Sequence, residues 1–296
     1  SHNLSKSLIL NYNSSNTSLI PSFTKEINIT DRNRLELFEN FFNVGQPNFY
    51  NQNFTANYNL PISNFPFLDF INANYLYNGN FNWQRGSDIL NNVSDQFGNK
   101  LGIVNTIQNS NNQTLNIDIN LDRLYRQINF SETNFLFDLI TSLKRVRSTY
   151  SENSGKVLPG YIPSIGFLGT LKPSFGFVFG SQKDVRYEIA KNGWLTTFTD
   201  FNQQFQKVYN SKFDISAEIE LFKNLKIDFN ANRTYSNNFS ENYSISENNY
   251  NTINGSFYGN FSISSNMLRT SFKDRSVEFS IDFENLKKNR IRVANR

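Results

Sequence analysis

Residues 213–231 read FDISAEIELFKNLKIDFNA, and the period of that stretch decides the fold class. Phe213, Ile215, Ala217, Ile219 and Leu221 alternate with Asp214, Ser216, Glu218 and Glu220. Past Lys223-Asn224, Leu225, Ile227, Phe229 and Ala231 alternate with Lys226, Asp228, Asn230 and Asn232. Successive side chains of a strand point to opposite faces, so a period of two predicts strands, each apolar on one side and polar on the other. Two such runs joined by a short polar turn predict an antiparallel hairpin.

The same period recurs on both sides of that hairpin. From Ile71 to Trp83 the odd positions are Ile71, Ala73, Tyr75, Tyr77, Gly79, Phe81 and Trp83, and the even positions are asparagine except at Leu76. Leu115 to Asp122 and Val277 to Glu284 repeat it, and Phe54–Ile62 and Phe257–Ile263 are weaker copies. A half-buried strand in a soluble sandwich alternates in the same way, so period alone leaves the environment open. Length favours a membrane: ordinary strands run about five or six residues, membrane-spanning ones about nine to eleven, and several runs here reach the longer figure. Tyr58, Tyr77, Trp83, Tyr125 and Tyr235 stand near run ends, where interfacial girdles of a barrel lie. The fold expected is all-β: an antiparallel transmembrane β-barrel fragment of a very large barrel, with one or two short lumenal or rim helices and residues 1–296 in one domain.

Composition agrees with that separation of faces. Aromatics are 16% of the 296 residues, with 30 Phe and 14 Tyr, yet the mean hydropathy is −0.52. Cysteine is absent and the one histidine is His2, in a Ser1-His2 start that resembles a tag remnant. Disulfides, thiolate metal sites and histidine bases are thereby removed. Neither a catalytic residue nor a metal or cofactor is predicted, and the chain is not expected to be an enzyme. The net charge of +4 is spread along the sequence, whereas nucleic-acid binding wants a clustered basic stripe. No run approaches the roughly 18 apolar residues of a spanning helix.

Two stretches break the period. Val157 to Gly180, VLPGYIPSIGFLGTLKPSFGFVFG, is rich in glycine and proline and predicts a bent or bulged run, or one lying against the barrel wall. Ser181-Gln182-Lys183-Asp184 resembles a capped helix start, Val185 and Ile189 share a helical face, and Asn192-Gly193 supplies a stop. A short helix over 182–192 follows. Asp184, Arg186 and Glu188 read as local ion pairs on that helix. Asn285 to Arg296 is a second helical candidate, and Phe135 to Tyr150 fits either period with a preference for strand.

Several strings resemble the SprA/Sov family, the outer-membrane translocon of type IX secretion. One is Gly102 to Ser110, GIVNTIQNS, with Asn105, Ile107, Asn109 and Ser110, followed by Leu124-Tyr125. Another is Leu158-Pro159-Gly160-Tyr161-Ile162-Pro163 with Gly166-Phe167-Leu168-Gly169. The most specific runs from Phe179 through Gly180, Ser181, Gln182, Lys183, Asp184, Val185 and Arg186 to Asn192-Gly193-Trp194-Leu195. Asn232-Arg233-Thr234-Tyr235-Ser236-Asn237-Asn238-Phe239 follows, then Asn289-Arg290 after Phe283-Glu284-Asn285. The first hundred residues are similar only in texture. The resemblance implies an internal fragment of a far longer chain that forms one barrel in the bacterial outer membrane. It implies a channel passing folded cargo proteins from periplasm to cell surface. Its implied partners are secreted cargo, membrane lipid, a smaller outer-membrane barrel that receives cargo, and a periplasmic plug protein. Two readings remain beside it, another barrel such as a nutrient-uptake receptor and a soluble adhesin or carbohydrate-binding β protein.

Overall fold

The computed structural model describes residues 2–3, 7–19, 45–95, 98–128, 139–166, 169–198, 201–222, 225–264 and 281–294. Residues 1–263 form one compact unit. Among the described residues its nine strands make a single antiparallel sheet in which each strand pairs with the next in sequence. They are β1 His2–Asn3, β2 Leu8–Leu19, β3 Gln46–Leu60, β4 Ile71–Gln84, β5 Asn105–Asn120, β6 Leu143–Tyr161, β7 Phe205–Phe222, β8 Leu225–Ser246 and β9 Asn249–Ile263. From β3 onward every strand has 14 to 22 residues. The sheet is open: among the described residues no pairing joins β9 back to β1 or β2.

Register carries the alternation across strands, because directly opposed residues share a face. One row runs Ile71, Ile119, Val146, Ala217, Phe229. The next on that face runs Ala73, Ile117, Ser148, Ile215, Ala231. The opposite face is made of amides and hydroxyls, as in the row Asn59, Asn74, Asn116, Thr149. Its side chains bond across strands: Asn53 Nδ2 to Asn78 Oδ1 at 2.8 Å, Asn74 Nδ2 to Asn57 Oδ1 at 2.6 Å, Thr149 Oγ1 to Asn116 Oδ1 at 2.9 Å. Charges on this face gather at one end, where Arg145 chelates Asp118 and Arg147 meets Glu218 at 2.7 Å.

Four helices are described over their length, in chain order α1 Leu121–Ile128, α2 Phe175–Val178, α3 Arg186–Lys191 and α4 Ile281–Ala294, and residues 139–141, where a strand was preferred, are helical as well. Several expectations change with them. The strand expected through Asp122 ends at Asn120, whose side chain accepts the Arg123 amide at 3.2 Å and caps α1. Tyr125 therefore belongs to a helix and not to a girdle. Ile62 lies in a 3-10 turn, Pro61–Asn64, because Pro61 has no amide to donate to the ladder. Of the strand expected at Val277 to Glu284, residues 277–280 lie outside the described residues and Ile281, Phe283 and Glu284 are in α4. An ion pair from Glu284 to Lys287 at 2.9 Å and Arg292 in the last turn suit that helix. The second unit, residues 264–296, contains α4, so the helix expected in the tail holds through residue 294. Residues 135–138 and the turn at Lys223-Asn224 are outside the described residues; β6 starts at Leu143, and Phe222 opposite Leu225 closes the β7–β8 hairpin.

The 182–192 helix is shorter than expected. α3 begins at Arg186, and its N-cap, Val185, makes no side-chain bond. Ser181 Oγ instead accepts the Lys183 amide at 3.4 Å, in a turn. The stop is as expected: Gly193 has φ +69°, its amide bonds Ala190 O at 2.9 Å, and the Trp194 amide bonds Ile189 O at 3.0 Å. The placement of α2 and α3 is a larger correction. They pack on the face that carries the apolar rows, away from the asparagine face expected to line a lumen.

Candidate functional site

The Gly/Pro-rich stretch is where the sheet does something its period does not predict. β6 runs on through Pro159 to Tyr161, and the register shifts opposite Asn105 and Thr106, where Gly160 stands at φ +80°. The expected bulge is there. The chain then leaves the ladder, and residues 162–166 and 169–198 fold back over one end of the apolar face.

That segment is held by its backbone. Seven consecutive carbonyls, from Phe177 to Lys183, each accept a side-chain donor from the sheet. Asn109 Nδ2 donates to Phe177 O at 3.2 Å and Ser181 O at 2.8 Å. Gln52 Nε2 reaches Val178 O at 3.1 Å, and the Tyr77 hydroxyl reaches Phe179 O at 2.6 Å. Asn111 Nδ2 serves Gly180 O at 2.9 Å. The Lys156 ammonium serves Gln182 O, and Lys183 O at 2.9 Å. Further along the sheet, Trp83 Nε1 donates to Pro163 O at 3.1 Å and Asn105 Nδ2 to Ile162 O at 3.1 Å. Buried carbonyls without partners cost about 1–3 kcal/mol each, so these donors make burial of an irregular segment tolerable. They also account for the late start of α3.

Apolar packing fills the space between the donors. Phe81, Trp83, Ile107 and Leu158 from the sheet meet Phe177, Val178, Ile189 and Leu195 from the segment, all buried. Full burial of such a side chain is worth about 1.5–3 kcal/mol. Gly180, at φ +91°, lies so close to the sheet that a Cβ there would stand 2.8 Å from Gly79 Cα and 2.9 Å from Ser110 O. Only glycine fits.

A charged cluster fixes the α3 end. Arg186 bonds Asp184 at 2.7 Å and pairs with Glu241 of β8, which is 2% exposed. Glu241 also accepts the Tyr250 hydroxyl at 2.6 Å and the Thr252 hydroxyl at 3.0 Å. The guanidinium lies 4.4 Å over the Phe205 ring. Burial works against the Asp184 charge, but the hydrogen bonds and charge of Arg186 outweigh it and hold the carboxyl below its ordinary range.

Most of the residues carried by the resemblance meet at this seat. Asn105, Ile107, Asn109, Pro163, Gly180, Ser181, Lys183, Asp184, Arg186 and Trp194 touch or form it; the Pro159 carbonyl accepts the Tyr243 hydroxyl, Tyr161 is buried, and Gly169 lies against Tyr50. Asn192 and Gly193 end α3. The β8 group is not brought together with them as a set. Tyr235 and Arg233 sit lower on the same face, with Arg233 5.4 Å over Phe261; Asn238 and Ser110 are on the asparagine face; Phe239 packs at the margin of the core. Gln52, Asn111, Lys156 and Glu241 were not singled out from the sequence, and Tyr77 was expected only in a girdle. Four of these five, Gln52, Asn111, Lys156 and Glu241, break parity, being polar at positions where their strand's period calls for an apolar residue. Compared with known protein families and with curated proteins, the chain matches none of them.

Proposed function

We propose that this sheet is a section of the wall of an outer-membrane β-barrel, and that the barrel is the protein-conducting channel of type IX secretion. The observation that carries the wall reading is the contrast between faces. Beyond the seated segment, one face offers the rows from Ile71 to Phe229 and from Ala73 to Ala231, uncharged and without a covering layer among the described residues, and the other offers asparagine, serine and threonine with paired charges at one end. Lipid suits the first and water the second. The resemblance supplies the particular channel, its cargo, and its two protein partners, the smaller barrel and the periplasmic plug. A hydrogen-bonded amide face whose charges are paired with one another fits such a passage, since it offers cargo few places to stick.

The test sets neighbours on opposite faces against each other. A basic residue at mid-membrane on a lipid face costs about 2–4 kcal/mol. Ile117→Arg should therefore reduce membrane assembly sharply, and Asn116→Arg should leave it nearly intact, measured as heat-modifiable protein in outer-membrane fractions. Equal loss in both variants would overturn the facing. Covering of half the apolar face by the chain's own segment also suits a soluble β protein; that reading requires the chain to stay in solution without detergent.

A further inference from the structure

Between the seated segment and the aliphatic rows runs a band of tyrosine. Tyr58, Tyr75 and Tyr150 share one row with Phe213. Tyr77 and Tyr235 lie on the next row toward the segment, and Tyr12 and Tyr209 one row further. Four of these hydroxyls bond in one direction. Tyr75 donates to Gln113 at 2.8 Å, Tyr150 to Glu152 at 3.2 Å and Tyr12 to Gln52 at 3.2 Å, each acceptor standing one row nearer the segment. Tyr77 donates to the segment itself. Rings face the greasy rows while polar tips face away from them, which is how aromatic residues sit at a membrane–water boundary. The rows below come near the height of a membrane barrel's apolar band, about 25 Å. From Tyr235 to Ile227 is eight residues, about 27 Å along a strand and about 20 Å once tilted as in membrane barrels.

The segment joins this band through α2. Phe179 packs edge-on against Phe54 at 5.6 Å and lies 6.3 Å from Tyr12, and Phe175 lies 4.6 Å from Phe179. Phe175 is nonetheless 65% exposed. We propose that the tyrosine band marks one boundary of the bilayer and that the 162–198 segment rides on the outer side of the wall at that boundary, with Phe175 placed in the lipid headgroup zone. The partner of this surface is the headgroup region of the membrane, and the segment sets the height of the wall in it. The inference rests on the wall reading and adds a depth and a lipid contact to it.

The chain has no cysteine, so single-cysteine variants of the full chain can carry one environment-sensitive fluorophore each. Phe175→Cys, Tyr58→Cys and Ala217→Cys would be labelled and inserted into vesicles of phosphatidylethanolamine and phosphatidylglycerol. The vesicles carry nitroxide lipids quenching at headgroup or at mid-chain depth. Labels at 175 and 58 should lose emission to the headgroup quencher more than to the mid-chain one, and the label at 217 should show the reverse. An unquenched label at 217 overturns the wall reading and this inference with it. Deep quenching at 217 with no headgroup quenching at 175 overturns the inference alone, and shallow quenching at 58 in that sample shows that the boundary is correct but the segment stands off it.

Discussion

The two halves of the apolar face obey the same period and have opposite fates. In the half crossed by Phe81, Trp83, Ile107 and Leu158, the chain covers its own strands with a segment of the same molecule. In the half crossed by Ile119, Val146, Ala217 and Phe229, no such segment covers them among the described residues. The difference is written in the polar residues that break parity. Gln52, Asn109, Asn111, Lys156 and Glu241 stand in apolar positions where an irregular backbone must be received, whereas the row from Ile71 through Ile119, Val146 and Ala217 to Phe229 contains no polar residue. Alternation says which way a side chain points; the exceptions to it say what it meets.

The largest effect expected from this contrast is on stability. Phe81 is 0% exposed and Phe229 is 47% exposed on the same face. Truncation of a buried phenylalanine costs about 3–5 kcal/mol, so Phe81→Ala should release the segment while Phe229→Ala leaves it seated. Both tryptophans, Trp83 and Trp194, lie at the seat, so release would appear as a red shift in their emission. A smaller effect is expected from acid. A carboxyl held below its ordinary value contributes stability that is present above the unfolded value, about 3.9, and is lost as pH falls through the lower folded value. Seating of α3 should weaken in that window, and Asp184→Asn should reduce this pH dependence in the same emission signal. The smallest effect is expected on the far face, where Asn53→Ala removes one bond to Asn78 and should shift stability by less than about 0.5 kcal/mol. A large loss there would mean that the asparagine face is packed against something and does not meet water.

Most of the sheet was legible because strand period is local. The β7–β8 hairpin, the facing of Ile71 to Trp83, the bulge at Gly160 and the glycine stop after α3 all follow from neighbours in sequence. Closure of the sheet into a barrel does not, and among the described residues β9 is an edge. The seat was only half legible. Gly180 and the Asn109 string stood out through resemblance, but Lys156 and Gln52 acquire meaning only when residues 26 to 126 positions away arrive over them. Trp83 shows the limit of pattern: an aromatic at a strand end suggests a girdle, yet it is buried under the segment. α1 and α4 were misread in part because a few alternating residues suit a strand until a cap or an i,i+3 ion pair decides otherwise.

The seven carbonyls from Phe177 to Lys183 are served from β3, β4, β5 and β6, and Arg186 reaches on to β8. One short span of chain thus grips several staves at once. Sliding any of those strands by a single residue would turn its donor to the wrong side and strand a carbonyl in the dry seat. The segment therefore acts as a key across the sheet: it permits one alignment of hairpins, and an assembling sheet that has slipped cannot be latched.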